Sequence, residues 1–395
     1  MRQQTLLNRT CKLSCLFCFF MTTFFLSAAF GQGKNTKDLN GEKEKAAASG
    51  KEIESNSVSF EKLLEDHPED KSIYDDYAQT LVGERNFNGA IEVYRRALLM
   101  GDKLQNNSGT PLLEAIEEVF ALKKFSEAMK KEPSWDRARK ISFKGGEIVT
   151  NIPQEYSEPL VRDLGLLIRE EKAMLEEILG APKGEMPFLK ISVAGRADEY
   201  KALWREKKFE PSQLSSGAYN IGKNEIVVFF TGADVRWTLA HEFAHCFLRA
   251  FYAQEPSKFL DEGLSNYLSF KLAKTGAKPI LEEILGWLKD LYGEGKLKNA
   301  LDLFSSWERY EQSPGTEEKM EFYMRAWSLT AFFLDGGDAF FSKFFRDYLQ
   351  YELQLGPLSR KDVENYFRAN FSEEKERALN AQWGLFIEKM NYENI

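Results

Sequence analysis

Histidine is the scarcest chemically versatile side chain in this chain: there are three in 395 residues, His67, His241 and His245. A basic excess is also missing, with 53 Lys and Arg against 61 Asp and Glu and a net charge of −8. No dense Lys/Arg stripe offsets this, which excludes a nucleic-acid binder, because neutralising phosphates needs a basic face. Cysteine is nearly absent after the first eighteen residues. Cys11, Cys15 and Cys18 sit in one apolar run, so the Cys15/Cys18 spacing is not a metal or redox motif, and Cys246 alone cannot form an internal disulfide. What is plentiful is aromatic mass: 31 Phe point to large packed cores rather than disorder.

The N-terminus reads as an export signal. Arg2, Arg9 and Lys12 precede an apolar run from Leu13 to Phe30, with Ala28, Ala29 and Gly31 as small residues at its end. Residues 1–31 are therefore expected to be a signal peptide cleaved after Gly31, placing the protein in the periplasm or outside the cell. Membrane attachment is expected only if that segment stays uncleaved, since about 18 apolar residues just suffice to span a bilayer. Residues 32–55 are Lys/Glu/Gly-rich and unpatterned, and are read as a flexible linker.

From 56 to 140 the pattern is helical. In the stretch 77–98, Tyr77, Leu81, Phe87, Ala90, Tyr94 and Ala97 stand where a tetratricopeptide-like repeat puts its packing residues, and a second, weaker unit is read over 112–131. An ordinary helical hairpin explains these positions equally well. Such a segment offers a surface for a protein partner.

From 142 to 395 the expected architecture is α+β: a small mixed sheet followed by a helical subdomain. The strands are read at 146–150, at 188–193 and as a pair at 217–220 and 225–230 joined through Gly222–Asn224. A long helix is read from Glu158 to Leu179, stopped by Gly180. Later turns are expected at Gly263, Gly276, 293–295, 336–337 and 356–357.

The chemistry concentrates in 238–247, TLAHEFAHCF. His241 and His245 are four residues apart, so on a helix both imidazoles leave one face and reach a single ion. Glu242 lies about 100° round that helix, where it can act on a metal-bound water without ligating the metal. Helix is the expected state, with Asp234 as cap and Val235, Leu239, Phe243 and Phe247 as an apolar stripe. With so few histidines, a chance His-Glu-x-x-His is expected far less than once. Either histidine alone would be read as a core residue. A catalytic zinc needs a third protein ligand, and no histidine follows His245. FLDEGLSNYL (259–268) supplies two candidates, Asp261 and Glu262, on what reads as a second, antiparallel helix. Glu262 is preferred, because the shorter arm of Asp261 points to a different helix face. Gly263 is expected to allow close backbone approach beside the site. Cys246 is read as a small buried residue.

HEFAH followed by FLDEGLSNY resembles the gluzincin metallopeptidases. The span from about 142 to 390, including GAYN and SEEKERALNAQWGLFI, is similar to the bacterial peptidase-MA-like domain family. The resemblance implies a zinc peptidase fold with His241, His245 and Glu262 as Zn2+ ligands and Glu242 as general base. It also implies a tyrosine some sixty residues beyond the glutamate that would donate to a developing oxyanion, a place Tyr323 fits, although a core aromatic fits it as well. Substrate backbone is expected to pair with the edge strand Gly217, Ala218, Tyr219 and Asn220, which also reads as a plain structural strand. The chain departs from the family at Phe259, where Trp is frequent, and at Asn266, where an acidic residue is frequent. Asn266 lies four residues after Glu262 and can orient a ligand imidazole only through a neutral amide. The expected function is thus exported peptide hydrolysis. The alternative is an inactive gluzincin-like scaffold serving as a cell-envelope binding protein, and the retained Glu242 separates the two.

Overall fold

A computed structural model describes residues 60–67, 70–99, 111–182, 184–207, 217–220, 223–230, 235–252, 256–297, 299–305, 316–356 and 358–392. The expected signal segment (1–31) and linker (32–55) lie outside them. So do Asp234 and Gly222. The chain divides into two compact units, with the division after Lys131.

In the first unit a short helix over 60–66 precedes α1 (Lys71–Gly83), α2 (Phe87–Leu98) and α3 (Leu112–Met129). Asp70 caps α1 and Asn86 caps α2, each side chain accepting a backbone N–H that the helix start leaves open. Tyr77, Leu81, Ala90, Tyr94 and Ala97 are buried in one cluster, with Phe87 packed at its edge. Ala90 and Ala97 let α2 approach α1 closely. The 112–131 stretch is one continuous 18-residue helix rather than a second helix pair, because no turn residue interrupts it.

The second unit begins with a strand that periodicity did not announce. β1 (Arg139–Phe143) is too short and too polar to show alternation, yet it pairs antiparallel with β2 (Gly146–Thr150) through the turn at Gly145. The last α-helix of the first segment thus ends at Met129, eleven residues before the expected limit at 140. α4 (Gln154–Leu179) crosses over to β3 (Leu189–Ala194), which lies parallel to β2. α4 starts one turn earlier than expected, since Pro153 stands just before the first turn and Pro159 is accommodated inside it. Gly180 ends it at φ 85°. After α5 (Ala197–Glu206), the hairpin strands β4 (Gly217–Asn220) and β5 (Glu225–Phe229) complete a mixed five-stranded sheet, order β1-β2-β3-β5-β4. The hairpin turn uses Asn224 at φ 50°, a left-handed conformation that Asn tolerates. This is an α+β fold with a small mixed sheet and many helices.

The rest is helical: α6 (Arg236–Phe251), α7 (Lys258–Leu272), α8 (Lys274–Gly293), α9 (Ala300–Ser305), α10 (Thr316–Ala331), a π-helical turn at Phe332–Gly336, α11 (Ala339–Leu355), α12 (Arg360–Asn370) and α13 (Glu373–Lys389). Phenylalanine provides much of the cement, with Phe304 stacked between Phe259, Tyr348 and Phe367 at ring distances of 3.9, 5.1 and 4.6 Å. α7 is buried all round from Phe259 to Phe270, the mark of a central helix. Gly263 and Gly276 are not turns but lie inside α7 and α8. A Cβ on Gly263 would come within 2.5 Å of Thr330 Oγ1 and 3.1 Å of the Ala326 carbonyl. Its close approach is therefore to α10. Among the described residues no helix is long and apolar enough to cross a membrane.

Candidate metal centre

α6 has the apolar stripe its sequence promised: Val235, Leu239, Phe243 and Phe247 are all buried, and so is Cys246. Its N-cap is Val235, which offers no side-chain acceptor. His241 and His245 leave one face of it with their Nε2 atoms 3.0 Å apart and their rings nearly perpendicular, centroids 4.6 Å apart. The His241 ring also stacks on Trp237, which in turn meets Phe270 of α7.

Glu262, seventeen residues beyond His245 and on the second helix, directs Oε2 to 3.6 Å from His241 Nε2 and 3.7 Å from His245 Nε2. One donor atom from each of His241, His245 and Glu262 falls within 4.8 Å of the others. Two imidazole nitrogens and one carboxylate oxygen form the donor set that suits a divalent ion such as Zn2+. Two bare Nε2 lone pairs cannot face each other at 3.0 Å, so either a proton, which one neutral imidazole tautomer can supply, or a metal lies between them.

Asp261 does not turn away from the site. Its Oδ1 lies 2.7 Å from His245 Nδ1, the far side of that ring, and its Oδ2 accepts from Lys258 Nζ at 3.1 Å. Ser265 Oγ is 3.2 Å from the same ring nitrogen. The shorter arm therefore reaches the back of the imidazole while the longer arm of Glu262 reaches its front. Asn266, expected to orient a ligand imidazole, gives its amide N–H to the Glu262 backbone carbonyl at 2.9 Å. It exerts a polar pull on the His241 ring, but His241 Nδ1 is buried without a formed hydrogen bond.

Charge in the cluster follows from these contacts. Burial, then the neighbouring His245, holds His241 well below its ordinary pKa. Burial opposes protonation of His245 too, but the Asp261 and Glu262 charges and the Asp261 hydrogen bond outweigh it and lift His245 to about 9. Asp261 is correspondingly held down: its burial is overcome by His245 and Lys258. Glu262 is pushed up, first by burial.

Glu242 is buried beside the donor set. Burial, reinforced by Glu262 and Asp261 and opposed by His245, raises its carboxyl to about 7. The Tyr219 backbone N–H of β4 donates to it. β4 is the edge of the sheet on this side among the described strands, and Gly217 is pressed against α6. A Cβ there would lie 2.5 Å from Thr238 Cγ2 and 3.5 Å from Glu242 Oε1, so only glycine lets this strand lie against Glu242. Ala218 pairs with Val227 of β5, Tyr219 donates its hydroxyl to Asn224 Oδ1 at 2.7 Å, and Asn220 donates to the Lys207 carbonyl at 2.9 Å. Tyr323 is half-buried on α10 with its ring beside Phe322.

Two contributors escaped the sequence reading. Asp261 was weighed only as a ligand. Glu352 of α11, ninety-five residues from its partner, accepts from the Ser257 N–H at 2.5 Å and its hydroxyl at 3.0 Å. It thereby caps the start of the helix that carries Asp261 and Glu262. The aromatic pattern of α11 signals a core helix, and nothing in it signals this contact. No protein-family model matches the chain, and no curated protein matches it either.

Proposed function

We propose that this protein is an exported zinc-dependent peptidase. The observation that carries this reading is the convergence of His241, His245 and Glu262 within 4.8 Å, with the buried Glu242 carboxyl next to His241 in the chain. The donor set fits Zn2+, and these three residues would hold it. A bound zinc would supply Lewis-acid polarisation of a carbonyl and a water acidified to near neutral pH. Glu242 then serves as the proton acceptor, and its position between the donor set and β4 suits that role. The outer edge of β4 would offer backbone groups to an extended peptide beside the Tyr219 N–H that meets Glu242. Tyr323 stands as the candidate oxyanion donor. The retained Glu242 favours this reading over an inactive scaffold, because a zinc site that only binds has no use for a buried carboxyl there. Export rests on the composition of residues 1–31, and the first unit is proposed as a surface for a protein partner.

The test is elemental analysis of residues 32–395 beside His245→Ala. The expected result is about one zinc per chain in the first and none in the second, followed by cleavage in a peptide library. No zinc in the unaltered chain after added metal would overturn the reading.

A further inference from the structure

The two imidazoles of the donor set are supported unequally. We propose that Asp261 is the positioning residue for His245, so that this chain orients its metal-binding imidazole with a carboxylate placed one residue before the glutamate donor. The inference rests on the zinc reading and deepens it.

An imidazole that binds a metal through one nitrogen needs its other N–H anchored, which fixes the ring's tautomer and angle and strengthens the donor. At position 266 a neutral amide stands on the donor face; it gives its N–H to the Glu262 carbonyl and acts on His241 rather than on His245. The carboxylate is supplied instead by Asp261. Residues 261 and 262 project about 100° apart from α7, and His245 lies between the two directions. Asp261 meets Nδ1 at 2.7 Å, leaving Nε2 facing His241 Nε2 and Glu262 Oε2. Asp261 is itself fixed. It is buried, its second oxygen is held by Lys258 at 3.1 Å, and Lys258 also approaches Glu262 Oε1 at 3.8 Å. Ser265, one turn further along α7, closes over the same ring nitrogen at 3.2 Å. Three consecutive turns of one helix thus hold the back of one imidazole. His241 has no such carboxylate: its Nδ1 makes no formed hydrogen bond, and its ring is set by packing on Trp237 and by the neutral Asn266 amide.

A simple buried ion pair between Asp261 and His245 would affect stability alone, whereas a positioning role must also appear in metal affinity. The experiment is zinc competition against a chromogenic chelator for the unaltered chain, Asp261→Asn, Asp261→Glu and Asn266→Ala. Asp261→Asn is expected to weaken zinc about 10–100-fold. Asp261→Glu, which keeps the charge but displaces the oxygens, is expected to weaken it in the same direction, and Asn266→Ala by less than either. Unchanged affinity in Asp261→Asn overturns the inference while leaving the zinc reading standing. Absence of zinc from the unaltered chain overturns the zinc reading itself. A measurement that needs no substitution guards against misfolding: long-range 1H–15N spectra of the metal-free chain. A slowly exchanging, downfield His245 Nδ1–H is expected, and an Nδ1–H exchanging as fast as that of an exposed imidazole would refute the contact.

Discussion

Each unit of this protein buries a polar cluster, and the two are finished differently. In the first unit Tyr94 gives its hydroxyl proton to Asp75 Oδ1 at 2.6 Å and receives the Gln79 amide at 2.9 Å. The hydroxyl acts as donor and acceptor at once, so the network closes on itself, and burial with the adjacent Asp75 charge pushes Tyr94 far from ionising. In the second unit the Nε2 atoms of His241 and His245 and Oε2 of Glu262 converge on a common centre, where a proton or a metal can sit. Both clusters are deeply buried, so burial alone does not mark a site. The difference is whether the polar groups satisfy one another or converge on one centre.

Substitutions can sharpen that contrast. The largest effect is expected at Glu242. Glu242→Gln should lower peptide turnover by about 10²–10⁴-fold while leaving zinc content at its unaltered value, read by elemental analysis beside a kinetic assay. Retained turnover would remove Glu242 from the reaction.

The next largest concerns Glu352, a buried carboxyl between the two extremes, since it is bonded to Ser257 yet pushed up to about 7 by burial, despite the Ser257 and Tyr348 contacts that favour its charge. A carboxyl that ionises near 4.5 when unfolded and near 7 when folded leaves stability untouched at low pH. It lowers stability as pH climbs between those values and adds no further change above them. The loss amounts to about 3 kcal/mol over that window. Urea unfolding of the unaltered chain minus Glu352→Gln should show that slope, and parallel pH profiles would contradict it.

The closed network supplies the third prediction. Tyr94→Phe strips Asp75 and Gln79 of their partner and should destabilise the first unit by about 2 kcal/mol, measured by denaturant melting, with no change in zinc content. The smallest effect is expected at Glu171 of α4, which is fully buried with both carboxyl oxygens unpartnered and is held protonated by burial. It is neither a closed network nor part of the donor set. Glu171→Met should therefore stabilise the second unit by about 1 kcal/mol, and a lower melting temperature would show that Glu171 has a partner in solution.

Much of this was legible beforehand wherever the physics is local. The i, i+4 spacing of His241 and His245 dictates a shared helix face, and the alternation in β3, the apolar run of β5 and the stop at Gly180 follow from short-range geometry. β1 escaped because five half-exposed residues carry no period. The early start of α4 escaped because Pro153 can open a helix as readily as break one. Gly263 and Gly276 were misread as turns because glycine also serves packed helix interiors.

The sequence by itself determined that two imidazoles would leave one helix face together, because helical periodicity needs no partner. Only the tertiary structure decided which acidic residue of α7 meets the front of His245 and which its back. It also decided that Gly263 serves α10, that Gly217 admits β4 to Glu242, and that Glu352 caps the helix bearing the third donor. Those outcomes depend on how far and at what rotation separate elements approach, and such distances are fixed by the packed core as a whole rather than by any stretch of neighbours.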